Sequence, residues 1–231
     1  MVKELHTKSC DFVIVGASVM GFDKADNQDT FEFGSNDDAL CVSVCDGLGS
    51  VRRAKEGSEL AAKTLVRMAL SGSVDGNDLL QTWRDSLPSG ANEASFNTTA
   101  KFALLSGNNA LVGGIGDGLI AMWDRGKVYL HSSKGEFANQ TASILDLSGL
   151  QKFTQESWRF GPGSLLMIGT DGFTEDLDRE KLGDLLAKIA DEMASKPDDF
   201  EKSLLRLLEK WPNSTNGDDK TVCFVLNRGN H

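Results

Sequence analysis

Four aspartates of this sequence each stand beside glycine at the end of a stretch that reads as a strand. Asp46 follows the apolar run Ala39–Cys45 and precedes Gly47, and Asp171 follows Leu165–Ile168 and precedes Gly172. Asp117 lies between Gly116 and Gly118, and Asp218 follows Gly217 and opens Thr221–Leu226. Strand ends are rigid, yet their last residues reach solvent. Glycine next to the acid lets the backbone turn sharply and brings a carbonyl oxygen near whatever the carboxylate holds. Carboxylates and carbonyls are hard oxygen donors, which suit Mg²⁺ or Mn²⁺ rather than zinc or copper. Asp-Gly is also a common turn, so four unrelated turns are the alternative reading.

The elements that must position these residues follow from pattern. Val13–Val15, Thr30–Phe33 and Ala39–Cys45 read as strands, with a polar turn from Asp23 to Asp29. Apolar residues then recur at helical spacing over Glu59–Leu70, after Ser58, and Asp75–Leu87 forms a second helix closed by Pro88 and the loop Ser89–Asn97. Thr98–Ser106, Ala110–Ile115, Leu119–Trp123 and Lys127–Leu130 read as strands. Asn108-Asn109 and Asp124-Arg125-Gly126 are expected as hairpin tips. Lys134–Ile144 is expected to be a mobile loop. Leu165–Ile168 is a buried strand, and Leu182–Met193 and Phe200–Leu208 are amphipathic helices, expected to pack on a sheet. Asn213–Gly217 is a turn and Thr221–Leu226 a last strand. Strands, helices, hairpins, helices and a strand in that order make an α+β fold, expected as one domain over residues 1–231.

Composition excludes several classes. The net charge is −10, with no basic stripe and interleaved aromatics, so no nucleic-acid partner is expected. No apolar run is long enough to span a bilayer and the first residues are too polar for a secretory signal. The expectation is a cytoplasmic protein with no membrane partner. Cys10, Cys41, Cys45 and Cys223 lie in apolar stretches, as core residues do, and their spacing is wrong for a zinc pair. His6, His131 and His231 are scattered, which leaves little for a histidine-based site. Gly113–Gly118 superficially matches a dinucleotide loop, but no helix follows it.

The stretches around the aspartates, taken in order, resemble the metal-dependent type-2C protein phosphatases, the PPM family. Asp46-Gly47-Leu48-Gly49 is similar to that family's Asp-Gly-His-Gly segment, and Asn27-Gln28-Asp29 after Lys24 to its Arg-x-x-Asn-Glu-Asp entry. Asn97-Thr98-Thr99-Ala100 with Gly116-Asp117-Gly118 resembles its Gly-Thr-Thr-Ala and Gly-Asp-Ser-Arg pair. Thr170-Asp171-Gly172-Phe173 resembles Ser-Asp-Gly-Leu, and Asp218-Asp219-Lys220-Thr221-Val222 the closing Asp-Asn-x-Thr-Val. The resemblance runs from about Gly16 to Leu226.

It implies a four-layer α-β-β-α sandwich of two antiparallel sheets flanked by helices. It implies a serine/threonine phosphatase that hydrolyses phosphomonoesters through a binuclear Mn²⁺ or Mg²⁺ centre and a bridging hydroxide. Asp46 would bridge both ions, Gly47 would add its carbonyl, and Asp171 and Asp218 would complete one ion. Asp29 and Gln28 would stand by the ions' waters, Asp117 would help hold a weaker third ion, and Lys24 would take the phosphate. Asp219 would support from outside the ligand set, and Lys134–Ile144 would be the flap near the substrate. The implied partners are phosphoserine and phosphothreonine proteins, with a Ser/Thr kinase or its target, and the chain is expected as a monomer.

Three positions depart from the family pattern. Leu48 replaces the histidine that the family uses to protonate the leaving oxygen, Lys24 replaces an arginine, and Gln28 replaces a glutamate. Lysine cannot make arginine's bidentate fork, so weaker phosphate affinity is expected. These departures leave two other functions open: a catalytically weak or inactive regulatory module that binds a phosphoprotein or kinase, and a metal hydrolase for a small phosphate ester.

Overall fold

The computed structural model describes residues 1–22, 24–72, 74–132, 141–148, 153–211 and 217–230. In chain order the strands are β1 (Val2–His6), β2 (Asp11–Val19), β3 (Asp29–Ser35), β4 (Leu40–Asp46), β5 (Ala100–Ser106), β6 (Asn109–Ile115), β7 (Leu119–Asp124), β8 (Lys127–His131), β9 (Thr154–Arg159), β10 (Leu165–Gly169) and β11 (Lys220–Gly229). The helices are α1 (Ala54–Leu70), α2 (Gly76–Ser86), the single turn α3 (Asp171–Thr174), α4 (Leu182–Ser195) and α5 (Pro197–Glu209).

The strands form two antiparallel sheets, β1-β2-β11-β10-β7-β8 and β3-β4-β5-β6-β9. Side-chain alternation builds the layers. In β2, Phe12 and Ile14 point between the sheets and join Leu40, Val42 and Val44 of β4. Val13, Val15 and Ala17 point the other way, onto Leu186, Ile189, Leu204 and Leu208 of α4 and α5. Cys41 and Cys45 turn outward from β4 onto Leu65 of α1 and Leu79 and Trp83 of α2. Each sheet therefore buries both faces, and the four-layer α-β-β-α sandwich is the observed fold. All four cysteines are buried and unpaired. No helix among the described residues is long and apolar enough to cross a membrane.

Local chemistry sets the boundaries. The Asp75 side chain accepts from the Asn77 and Asp78 amides, which caps α2 where the sequence pattern starts it. Ser58 is not a cap: it is buried inside α1, and its hydroxyl donates to the Gln28 and Lys55 carbonyls. The first hairpin turns at Gly107-Asn108, one residue before the expected tip, because Gly107 takes a φ of +54°. Arg125 and Gly126 form the second tip as expected, both with positive φ. Strands β1 and β9 lie outside the sequence expectation. Both are sheet edges with polar sequences, so neither shows an apolar run. The expected loop Lys134–Ile144 lies outside the described residues up to Gln140, as do the turn Asn213–Gly217 up to Asn216, Asp23 and His231.

Candidate metal centre

Four strand ends meet at one end of the sandwich. Asp46 is the last residue of β4, Asp117 sits on the turn from β6 to β7, Asp171 follows β10 as the first residue of α3, and Asp218 precedes β11. Carboxylate oxygens of Asp46, Asp117 and Asp171 lie within 4.8 Å of one another. The backbone around each is pinned. The Asp46 amide donates to Thr99 Oγ1 at 2.8 Å, and the Asp46 carbonyl accepts from the Thr98 hydroxyl at 2.8 Å. The Gly172 amide donates to Asp171 Oδ1 at 2.8 Å, and the Thr141 hydroxyl donates to Asp117 Oδ2 at 2.5 Å. A Cβ at Gly172 would lie 2.1 Å from the Asp219 carbonyl oxygen, so only glycine lets α3 close on the chain entering β11.

Asp29 joins the cluster from β3. It is 7% exposed, and its Oδ2 accepts from the Thr170 hydroxyl at 2.8 Å. Its Oδ1 is buried with no hydrogen-bond partner, and so is Oε1 of Gln28. Orphaned buried acceptors are costly, and a cation or its waters would satisfy them. Burial pushes the Asp29 carboxyl up to about 7, with Asp219 adding to the rise. Burial and then the charges of Asp29 and Asp171 hold Asp46 well above the usual carboxylate range. Burial, then Asp117 and Asp218, lift Asp171 to about 6. Repulsion of this kind is what a divalent cation removes. The donors are all oxygens, which fits Mg²⁺ or Mn²⁺.

Asp218 and Lys24 make an ion pair, Nζ to Oδ1 2.5 Å, each about a quarter exposed. Lys24, expected to face phosphate, therefore meets an aspartate expected to hold an ion. Burial works against the Lys24 charge, but Asp218, Asp219 and Asp46 outweigh it and raise the ammonium above its ordinary range. Asp219 is buried and accepts from the Gly21 and Gln28 amides, both at 2.8 Å, which fixes the segment carrying Lys24. Leu48 is half-buried beside Gly47; its amide donates to the Asn97 carbonyl at 3.1 Å and its carbonyl accepts from the Val51 amide at 2.8 Å, and its side chain has no polar atom to offer. Sequence reasoning missed Thr170, which ties Asp29 to β11, and Lys101, a 2%-exposed lysine on β5. The only signal for Lys101 was its parity with Ala103 and Leu105.

Residues 22–209 match the family model described as Protein phosphatase 2C. That span holds Lys24, Asp46, Asp117 and Asp171 and ends before Asp218. Similar solved structures include the S. agalactiae serine/threonine phosphatase, at 18% identity over 93% of this chain and 99% of that one, with a TM-score of 0.67. RsbX in complex with magnesium is 16% identical over 98% of this chain and all of that one, with a TM-score of 0.66. The PP2C phosphatase domain of SpoIIE from Bacillus subtilis, with a fragment of its regulatory domain, is 17% identical over all of this chain and 70% of that one, TM-score 0.64. At these identities the likeness is one of fold. No curated protein matches the sequence.

Proposed function

Because this chain belongs to the protein phosphatase 2C family, we propose that it is a metal-dependent phosphatase acting on phosphoserine and phosphothreonine in proteins. One observation carries the reading: Asp46, Asp117 and Asp171, from distant strand ends, bring carboxylate oxygens within 4.8 Å of one another, with Asp218 beside them in an ion pair with Lys24. Asp46, Asp171 and Asp218, with the Gly47 carbonyl, would hold two Mn²⁺ or Mg²⁺ ions. Such ions lower the pKa of water and neutralise phosphate charge. The chain's own residues do the rest. Asp219 and Thr170 hold the Lys24 segment and Asp29 in place through the bonds described above. Lys24, once Asp218 turns to a cation, is the ammonium free to meet a phosphate oxygen. Leu48 carries no proton, so the leaving alkoxide takes its proton from water, a loss of about 10²–10⁴ in rate against a positioned acid.

The test is Mn²⁺-dependent hydrolysis of p-nitrophenyl phosphate and of a phosphothreonine peptide, with Asp171→Asn as control. Activity on both supports the reading. A second reading, a regulatory module that binds a phosphoprotein or a Ser/Thr kinase, is favoured by the Lys24–Asp218 pair and by Leu48. Peptide binding without turnover of either substrate would support it. Turnover of a small phosphate ester alone would point to a metabolite hydrolase.

A further inference from the structure

Lys101 is placed where lysine is rarely found. In β5 it shares the side of Ala103 and Leu105, which face the other sheet, so its stem runs between the sheets. Its ammonium donates to the Gly116 carbonyl at 2.9 Å, immediately before Asp117. Two glycines open the channel for the stem. A Cβ at Gly114 would lie 2.9 Å from Lys101 Cγ, and one at Gly118 would lie 3.3 Å from Cε. A charge sealed in the interior is costly unless counter-charges stand close. Burial draws Lys101 down to about 8, and Asp117 leads the groups that hold it up, with Asp171 among them.

We propose that Lys101 is the fixed counter-cation of the acidic cluster: it holds the Gly116-Asp117-Gly118 turn from within the sandwich, and its charge opposes divalent ions bound at that cluster. The inference rests on the metal reading of the site. Without an ion, the crowded carboxylates repel one another and a buried positive charge offsets part of that repulsion. With an ion, the same charge repels it. Two other lysines stand at the cluster: Lys24 is a quarter exposed and pairs with Asp218, and the buried Lys220 donates to the Asp218 carbonyl at 2.9 Å, whereas Lys101 is buried against the turn that carries Asp117. Lys101 thus acts on affinity as a positioning residue and does not touch substrate.

The experiment is Mn²⁺ titration calorimetry on the metal-stripped full chain, with thermal melts in EDTA, for wild type, Lys101→Met and Lys101→Gln. Methionine removes both the charge and the hydrogen bond, and glutamine keeps a donor for Gly116. The expected result is Mn²⁺ binding at least tenfold tighter in both variants, with a lower metal-free melting temperature. A residue that served only packing would lower both affinity and melting temperature. Unchanged or weaker Mn²⁺ binding in Lys101→Gln overturns the inference, even if Lys101→Met fails to fold. No Mn²⁺ binding by the wild type would instead remove the metal reading itself, and this inference with it.

Discussion

Asp29 and Asp46 stand directly opposite one another across the β3–β4 ladder, so the two sheet neighbours bring two carboxyls into one buried spot. Like charges opposite each other destabilise a sheet. Asp29 is held up to about 7 by burial, and Asp46 is raised for the same reason and by Asp29 itself. Asp171, Asp218 and Asp219 add negative charge, while Lys24 offsets some. Folded carboxyls with raised pKa values stabilise the protein fully below about pH 4, their unfolded value, and that stability is lost as the pH rises through about 7. The metal-free chain should therefore lose on the order of 3 kcal/mol between pH 5 and pH 8. Denaturant melts in EDTA measure this, and saturating Mn²⁺ should flatten or reverse the trend.

Asp171→Asn separates chemistry from stability. The variant keeps an oxygen for the Gly172 amide, which now donates to Asp171 at 2.8 Å. It removes a carboxylate that burial, Asp117 and Asp218 hold up to about 6. Mn²⁺-dependent hydrolysis should fall at least about a hundredfold. The metal-free protein should gain about 1–2 kcal/mol at neutral pH. Lost activity together with lost stability would mark Asp171 as structural.

Much of this was legible in the residues, and the exceptions have physical causes. Ala39–Cys45 and Leu165–Ile168 announced themselves as strands because both faces of each are buried, so their runs are apolar except for Ser43, whose hydroxyl donates to the Ala62 carbonyl at 3.0 Å. Asp46 and Asp171 were visible because each closes such a run. Strands β1 and β9 were not legible, since an edge strand needs little apolar surface and theirs carry Lys, Glu, Gln and Ser. Lys101 was hidden for the opposite reason. A charge within a strand pattern reads as a solvated face, and the Gly116 carbonyl that its ammonium meets lies on a turn fifteen residues away. The Lys24–Asp218 contact joins residues from opposite ends of the chain, which no local pattern encodes.

Leu48→His tests whether proton supply limits the rate. The residue at this position is half-buried and stands two places after Asp46 in the chain. Histidine there should raise turnover of a phosphothreonine peptide about 10- to 100-fold at pH 7. The p-nitrophenolate leaving group needs no acid, so hydrolysis of that ester should stay within about threefold. An equal effect on both substrates would assign Leu48 to packing or metal affinity instead.

Lys24→Ala decides what the Lys24 ammonium is for. It neutralises Asp218 at 2.5 Å, and Asp219 and Asp46 reinforce its charge. If it is displaced when Asp218 takes a cation, it becomes available to the phosphate, and its loss acts at two points of opposite sign. The Mn²⁺ concentration for half-maximal activity should fall severalfold, because Asp218 no longer has a competing partner. KM for the phosphopeptide should rise about tenfold, as one cation leaves the phosphate site, with a smaller change in kcat. Lys24→Arg should restore or improve KM, since guanidinium can grip phosphate with two parallel bonds. A KM that stays unchanged in Lys24→Ala would confine the lysine to its ion pair with Asp218 and leave phosphate recognition to the metal ligands alone.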